Sequence, residues 1–160
     1  MLFRSKILFI CTHNRCRSIL SEAITNQLAK GRIVARSAGS QPAGAVHPLS
    51  ITYLLENNFS VAGLESQSWN EFSEFNPDLI VTVCARAASE ACPVWFGDST
   101  QMHWGLEDPS KIEGSEQEIA VGFQATIDEI SLRVQALLAL DFEALDVISL
   151  KRAMQQLGAI

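Results

Sequence analysis

Three scarcities narrow this 160-residue chain before any motif is read. Long apolar stretches are missing: the run Ile7-Leu8-Phe9-Ile10 near the start passes at once into polar residues and is far too short for a signal-peptide core or a membrane span. Basic excess is missing too. Twelve Lys and Arg stand against 18 Asp and Glu, so the net charge is −6 and the pI near 5.0, with no basic cluster to neutralise a phosphate backbone. Cysteine is scarce: the four present, Cys11, Cys16, Cys84 and Cys92, are too few for a disulfide scaffold and are expected as reduced thiols. The expectation is a cytoplasmic protein with no nucleic-acid partner and no membrane partner. Internal repeats, low-complexity tracts and linkers are absent as well.

The composition that remains, 48% hydrophobic and 19% charged with a mean hydropathy of +0.14, belongs to a soluble globular chain long enough to bury a core unaided. One domain over residues 1–140 is expected, with residues 141–160 as a C-terminal helical extension of it and a monomer as the default state.

Residues 6–10 form a continuous apolar run after a charged flank, the pattern of a strand buried on both faces of a parallel sheet. From Ser18, the recurrence of Ile19, Leu20, Ala23, Ile24 and Leu28 marks one apolar helical face ending near Lys30-Gly31. Residues 32–37 alternate as a second strand, and residues 49–58 read as a second helix. Residues 78–84 are the clearest strand and deliver Cys84 at its carboxyl end; a shorter strand is expected near 100–104, and a long helix over 116–140. Strands alternate with helices, which predicts an α/β sandwich with a parallel sheet.

The segment Cys11-Thr12-His13-Asn14-Arg15-Cys16-Arg17-Ser18 sits between the first strand and the first helix. Backbone N–H groups there converge at a helix N-terminus, a nest that accepts a tetrahedral oxyanion. The spacing Cys-x5-Arg-Ser lets Arg17 fold back and clamp two anion oxygens while Cys11 points at the central atom. The helix N-terminus, Arg17 and the Ser18 hydroxyl all favour Cys11 as a thiolate, the nucleophilic form. Thr12, His13, Asn14, Arg15 and Cys16 complete the oxyanion loop, with Asn14 tying its backbone in shape. Zinc fits poorly, because Cys11 and Cys16 are spaced too widely for a knuckle and His13 lacks a second ligand pair.

This octapeptide after an apolar strand resembles the low-molecular-weight protein tyrosine phosphatase superfamily. Ser37-Ala-Gly39, His47-Pro48, Cys84, Cys92-Pro93, His103-Trp-Gly105 and Asp108-Pro109 further resemble the arsenate reductases of that superfamily, and the match spans residues 7 to about 140. The resemblance implies a three-layer, flavodoxin-like sandwich: a four-stranded parallel sheet in the order 2-1-3-4, helices on both faces, and the anion loop at the carboxyl ends of the strands.

It also implies a mechanism. Asp108 stands over the anion and protonates a departing oxygen. The tyrosines that line the slot of the phosphatases are missing, since Ser110-Lys111 follows Asp108-Pro109 and Tyr53 is the chain's single tyrosine. Two extra thiols are present instead, and a pair of thiols becoming a disulfide supplies the two electrons that reduce arsenate to arsenite. By resemblance, Cys11 attacks arsenate, Cys84 attacks Cys11, and Cys92 resolves the disulfide to Cys84–Cys92. Eight helical residues rise about 12 Å while a disulfide needs Cα atoms about 4.4–6.8 Å apart, so the segment between Cys84 and Cys92 is expected to unwind. Arsenical resistance is the implied role. Phosphate and sulfate are the expected competing oxyanions, and no tightly bound cofactor is expected. A thioredoxin, or a glutaredoxin with glutathione, is the external reductant.

Weaker expectations complete the reading. Arg86 helps activate Cys84, although the Ala85-Arg86 pair departs from the Asp-Asn of related reductases. Cys16 is a packed thiol. Asn14, Glu22 and Ser37 match positions that bind a monovalent cation in some relatives, but Gln67 stands where those relatives place an acid. His13, His47 and His103 are read as structural, and Trp69, Trp95 and Trp104 as core or interface. Two alternatives stay open: a phosphatase using the same loop with Asp108, and a non-catalytic oxyanion-binding redox sensor.

Overall fold

Two uninterrupted apolar runs become the central strands of the sheet. Residues Ile7 to Ile10 of β1 (Ser5–Ile10) and all of β3 (Leu79–Thr82) are buried, as strands covered on both faces must be. The flanking strands β2 (Ile33–Ala38) and β4 (Thr100–His103) alternate between buried and more exposed residues, the pattern of sheet edges. All pairings are parallel and the order is β2-β1-β3-β4, the order implied by the resemblance. The structure, a computed structural model, describes residues 5–84 and 100–139. Cys92, Arg86, Trp95, the segment joining Cys84 to Cys92 and the extension 141–160 lie outside the described residues.

Among the described residues, three helices return the chain between and after the strands: α1 (Arg17–Ala29), α2 (Pro48–Glu56) and α3 (Glu116–Leu138). The first ends where Lys30 (φ 49°) and Gly31 (φ 88°) turn left-handed, at the site the sequence marks. The third opens on a capping box in which Ser115 and Glu118 satisfy each other's backbone N–H. These helices pack against one another over the sheet face that carries Phe9. There Phe9 meets Trp104 at 5.6 Å, and Tyr53 stacks on Phe123 at 4.8 Å. Across the opposite face, Arg36 lies over Phe72 of the 3-10 turn Trp69–Phe72, and Lys6 lies over Phe75. Among the described residues no helix is long and apolar enough to cross a membrane.

Several element ends differ from expectation for local reasons. The strand expected over 78–84 stops at Thr82; Val83 still donates to Ile10 O at 2.9 Å, but Cys84 has left the ladder. The second strand begins one residue later than expected because Arg32 N closes a turn on Ala29 O. Helix α2 stops at Glu56, where Asn57 folds its N–H back onto the last carbonyls and Asn58 turns left-handed. The 3-10 turns at Trp69–Phe72 and Pro109–Lys111 were not expected, although Ser68 and Asp108 cap them in the ordinary way.

Gly39, just past β2, carries the chain against the loop that follows β1. A Cβ added there would lie 2.6 Å from Cys11 O and closer still to Thr12 O. Gly39→Ala is therefore expected to destabilise the fold by about 2 kcal/mol, read as a lower urea midpoint with an unchanged m-value. An unaltered midpoint would contradict this close approach.

Candidate active site

The loop joining β1 to α1 has its carbonyls turned outward and tied from behind. Thr12 O accepts from Gln41 N, His13 O from Ala43 N and Ser66 Oγ, and Arg15 O from His47 N and Ser50 Oγ. Cys11 O accepts from Asn14 N within the loop. With the carbonyls committed outward, the N–H groups turn inward: among the described residues, nothing accepts from the N–H of His13, Arg15, Cys16, Arg17 or Ser18. Free N–H groups gathered at the start of a helix are an arrangement that suits an anion.

Asn14 braces this shape from inside the protein. It is fully buried and left-handed, with φ 46°. Its Nδ2 donates to Ser18 Oγ (2.9 Å) and Ser37 Oγ (3.0 Å), and its Oδ1 accepts from Gln67 N (2.8 Å). The Ser37 hydroxyl in turn donates a hydrogen bond to Glu22 Oε1 at 2.6 Å. Burial pushes the Glu22 carboxyl up; hydrogen bonds from Ser37 and the charge of Arg36 oppose that shift. Within this ring Asn14 Oδ1 and Ser37 Oγ are engaged in hydrogen bonds, and the Gln67 side chain brings an amide rather than a carboxylate.

Arg17 and Asp108 meet at the loop. Arg17 Nη1 donates to Leu106 O at 3.1 Å and Nη2 approaches Asp108 Oδ2 at 3.5 Å, while its buried Nε has no partner. The other carboxylate oxygen, Asp108 Oδ1, accepts from Ser110 N (3.0 Å) and Ser110 Oγ (2.6 Å). Leu106 and Ser110 were missed in the sequence. The Asp-x-Ser spacing was a legible Asx-turn signal, whereas nothing local marks Leu106 as the residue whose carbonyl holds Arg17.

The thiols of Cys11 and Cys84 lie near each other, both buried and both free of a disulfide. Contact with Cys84 raises the Cys11 thiol above its ordinary range, burial raises it further, and Arg17 pulls the other way. This corrects the expectation of a standing thiolate: the sequence shows the helix N-terminus and Arg17 but not a second sulfur and a buried wall against Cys11. Thr12 Oγ1 also reaches Cys84 Sγ, at 3.8 Å.

The remaining candidates are placed as follows. Burial pushes Cys16 up to about 11, against a hydrogen bond with Ser50. His13 sits at the exposed rim with Nδ1 3.1 Å from Gln41 O, and Arg15 is half-buried beside it. His47 caps α2, His103 Nδ1 pairs with Thr82 Oγ1 at 2.8 Å, and Trp104 is wholly buried. Among the described residues, no group of three or more His, Cys, Asp or Glu side chains is placed so that it could hold a metal ion.

The family model of the low molecular weight phosphotyrosine protein phosphatase matches residues 6–153. A Bacillus cereus protein named arsenate reductase is 34% identical over 132 residues, covering 82% of this chain and 92% of that protein. A solved arsenate reductase in a phosphate-binding state shares 27% identity with a TM-score of 0.69, covering 84% of this chain and 97% of that one. A thioredoxin-dependent arsenate reductase of Corynebacterium glutamicum shares 26% identity with a TM-score of 0.61, over 83% of this chain and 63% of that one.

Since contact with Cys84 is the largest influence raising Cys11, Cys84→Ala is expected to move Cys11 alkylation by iodoacetamide to lower pH. The check is the midpoint of its rate against pH, followed by peptide mapping; a midpoint that stays or rises contradicts the contact.

Proposed function

The chain belongs to the low molecular weight phosphotyrosine protein phosphatase family, among its arsenate reductases, and from that premise we propose that it reduces arsenate to arsenite by a relay of thiols. The observation that carries this reading over ester hydrolysis is that Cys84, delivered by β3, lies buried near Cys11 at the end of the neighbouring strand β1. A phosphatase of this type needs one sulfur; a reductase needs a second within reach of the first.

Arsenate enters the nest of free N–H groups and takes the unpartnered Arg17 Nε. Arg17 lowers Cys11 toward ionisation as the pair gives up a proton. Cys11 Sγ attacks arsenic, and Asp108 in its acid form protonates the departing oxygen, which leaves as water. A covalent thiol–arsenate adduct results. Cys84 thiolate then attacks Cys11 Sγ; the sulfur–arsenic bond breaks and its electron pair stays on arsenic, releasing arsenite and leaving a Cys11–Cys84 disulfide. Cys92 thiolate attacks Cys84, frees Cys11 and forms Cys84–Cys92.

Thioredoxin, a dithiol that returns two electrons per cycle, is the proposed reductant, supported by the thioredoxin-dependent relative. Glutaredoxin with glutathione is the alternative. Phosphate and sulfate compete for the loop, in keeping with the phosphate-binding relative. The first step is common to phosphatases, so slow ester hydrolysis accompanies the main activity.

The variants separate the steps. Cys11→Ser is expected to abolish both arsenite formation and p-nitrophenyl phosphate hydrolysis. Cys84→Ser should lower arsenite formation by more than about a hundredfold while hydrolysis remains measurable. Asp108→Asn should slow both by about a hundredfold. Arsenite formation that survives Cys84→Ser contradicts the relay.

A further inference from the structure

Helix N-caps are usually Ser, Thr, Asp or Asn, whose side-chain oxygen accepts a backbone N–H. Helix α2 is capped by a histidine instead: His47 Nδ1 accepts from Leu49 N at 3.1 Å. An imidazole nitrogen accepts only while it carries no proton, so protonation would set a donor against a donor. The same residue grips the anion loop. His47 N donates to Arg15 O at 2.9 Å, and Ser50 N donates to His47 O at 3.0 Å. Ser50 Oγ reaches Arg15 O at 3.4 Å, and Ser50 also meets the Cys16 thiol. The cap therefore sets the position of the groups that hold the Arg15 carbonyl outward.

We propose that His47 is a positioning residue, a titratable clasp whose neutral ring caps α2 and holds the anion loop in its binding shape, and whose protonation loosens it. This rests on the loop being an oxyanion site. The charged groups that face the ring are Arg15 from the loop and Asp108 from the loop after β4; α3 presents Phe123, its ring 6.5 Å away. Burial and then Arg15 lower the imidazole from its ordinary range, and Asp108 opposes them.

The sign of the effect separates this proposal from simple charge attraction. A cation gained beside the loop would by itself strengthen anion binding in acid; an opened clasp weakens it. Sulfate is a suitable probe because it keeps its charge from about pH 8 to about pH 4.5, and His47→Asn supplies a cap that does not titrate over that range.

The experiment measures sulfate dissociation constants across that range for the wild type, His47→Asn and His47→Ala. At the high-pH end, His47→Ala should bind about fivefold more weakly than His47→Asn. On acidification, the wild type should lose affinity relative to His47→Asn. A ratio of wild type to His47→Asn that stays flat, or moves toward tighter wild-type binding, overturns the clasp.

A melting series protects the test if His47→Ala does not fold. A ring kept neutral in the folded state but free to protonate when unfolded contributes stability that is full above the unfolded pKa of about 6.5 and falls away below it. The wild type should therefore lose more Tm than His47→Asn as pH drops, and equal losses overturn the proposal. Failure of the wild type to bind sulfate at about pH 8 is a different result, overturning the oxyanion reading of the loop itself.

Discussion

Holding several backbone N–H groups together, all pointing inward, is unfavourable unless something behind them opposes their mutual repulsion. In this protein that opposition comes from two sides: from outside the loop, Gln41, Ala43, His47, Ser50 and Ser66 donate to its carbonyls, and from within it the Asn14 side chain bonds Ser18, Ser37 and the Gln67 backbone. Each such bond contributes a net of roughly 0.5–1.5 kcal/mol, enough in sum to outweigh the left-handed turn at Asn14, which costs about 1–2 kcal/mol. The sheet serves this arrangement. Because β1 and β2 run parallel with Phe9 opposite Ser37, the Ser37 hydroxyl and Gly39 arrive directly behind the loop that β1 feeds.

The second dependency is between sulfurs. β1 and β3 are neighbours in register, Ile10 opposite Thr82, so the chain beyond each strand emerges at the same edge of the sheet. Cys11 and Cys84 therefore meet without any local sequence relation. The nearness of Cys84, together with burial, raises Cys11 above its ordinary range, and Arg17 pulls it the other way. In the proposed relay this nearness places the second sulfur, Cys84, beside the first before chemistry begins.

Much of this was legible in the residue pattern, and the parts that were not share a cause. The runs Ile7-Leu8-Phe9-Ile10 and Leu79-Ile80-Val81 announce buried strands because only strands covered on both faces tolerate unbroken apolar sequence; the alternation of Ile33 to Ser37 announces a further strand, which the structure places at the sheet's edge. The Cys-x5-Arg-Ser loop is read from its place after such a strand. The hold of Leu106 O on Arg17, the threefold use of Asn14 and the wall of Cys84 against Cys11 are long-range contacts with no periodic trace. The thiolate expectation missed for that reason. It counted the charges near Cys11 in sequence and could not count burial or the sulfur delivered by β3. Strand ends missed more narrowly, since β3 stops where its partner β4 stops.

The central claim is that this loop and these thiols together carry two electrons to arsenate. The most direct measurement mixes the fully reduced protein with arsenate in a single turnover without external reductant, quantifies arsenite, counts free thiols and maps disulfides by mass spectrometry. The account predicts one equivalent of arsenite, two thiols lost and a bridge between Cys84 and Cys92. Unchanged thiols with no arsenite would contradict it.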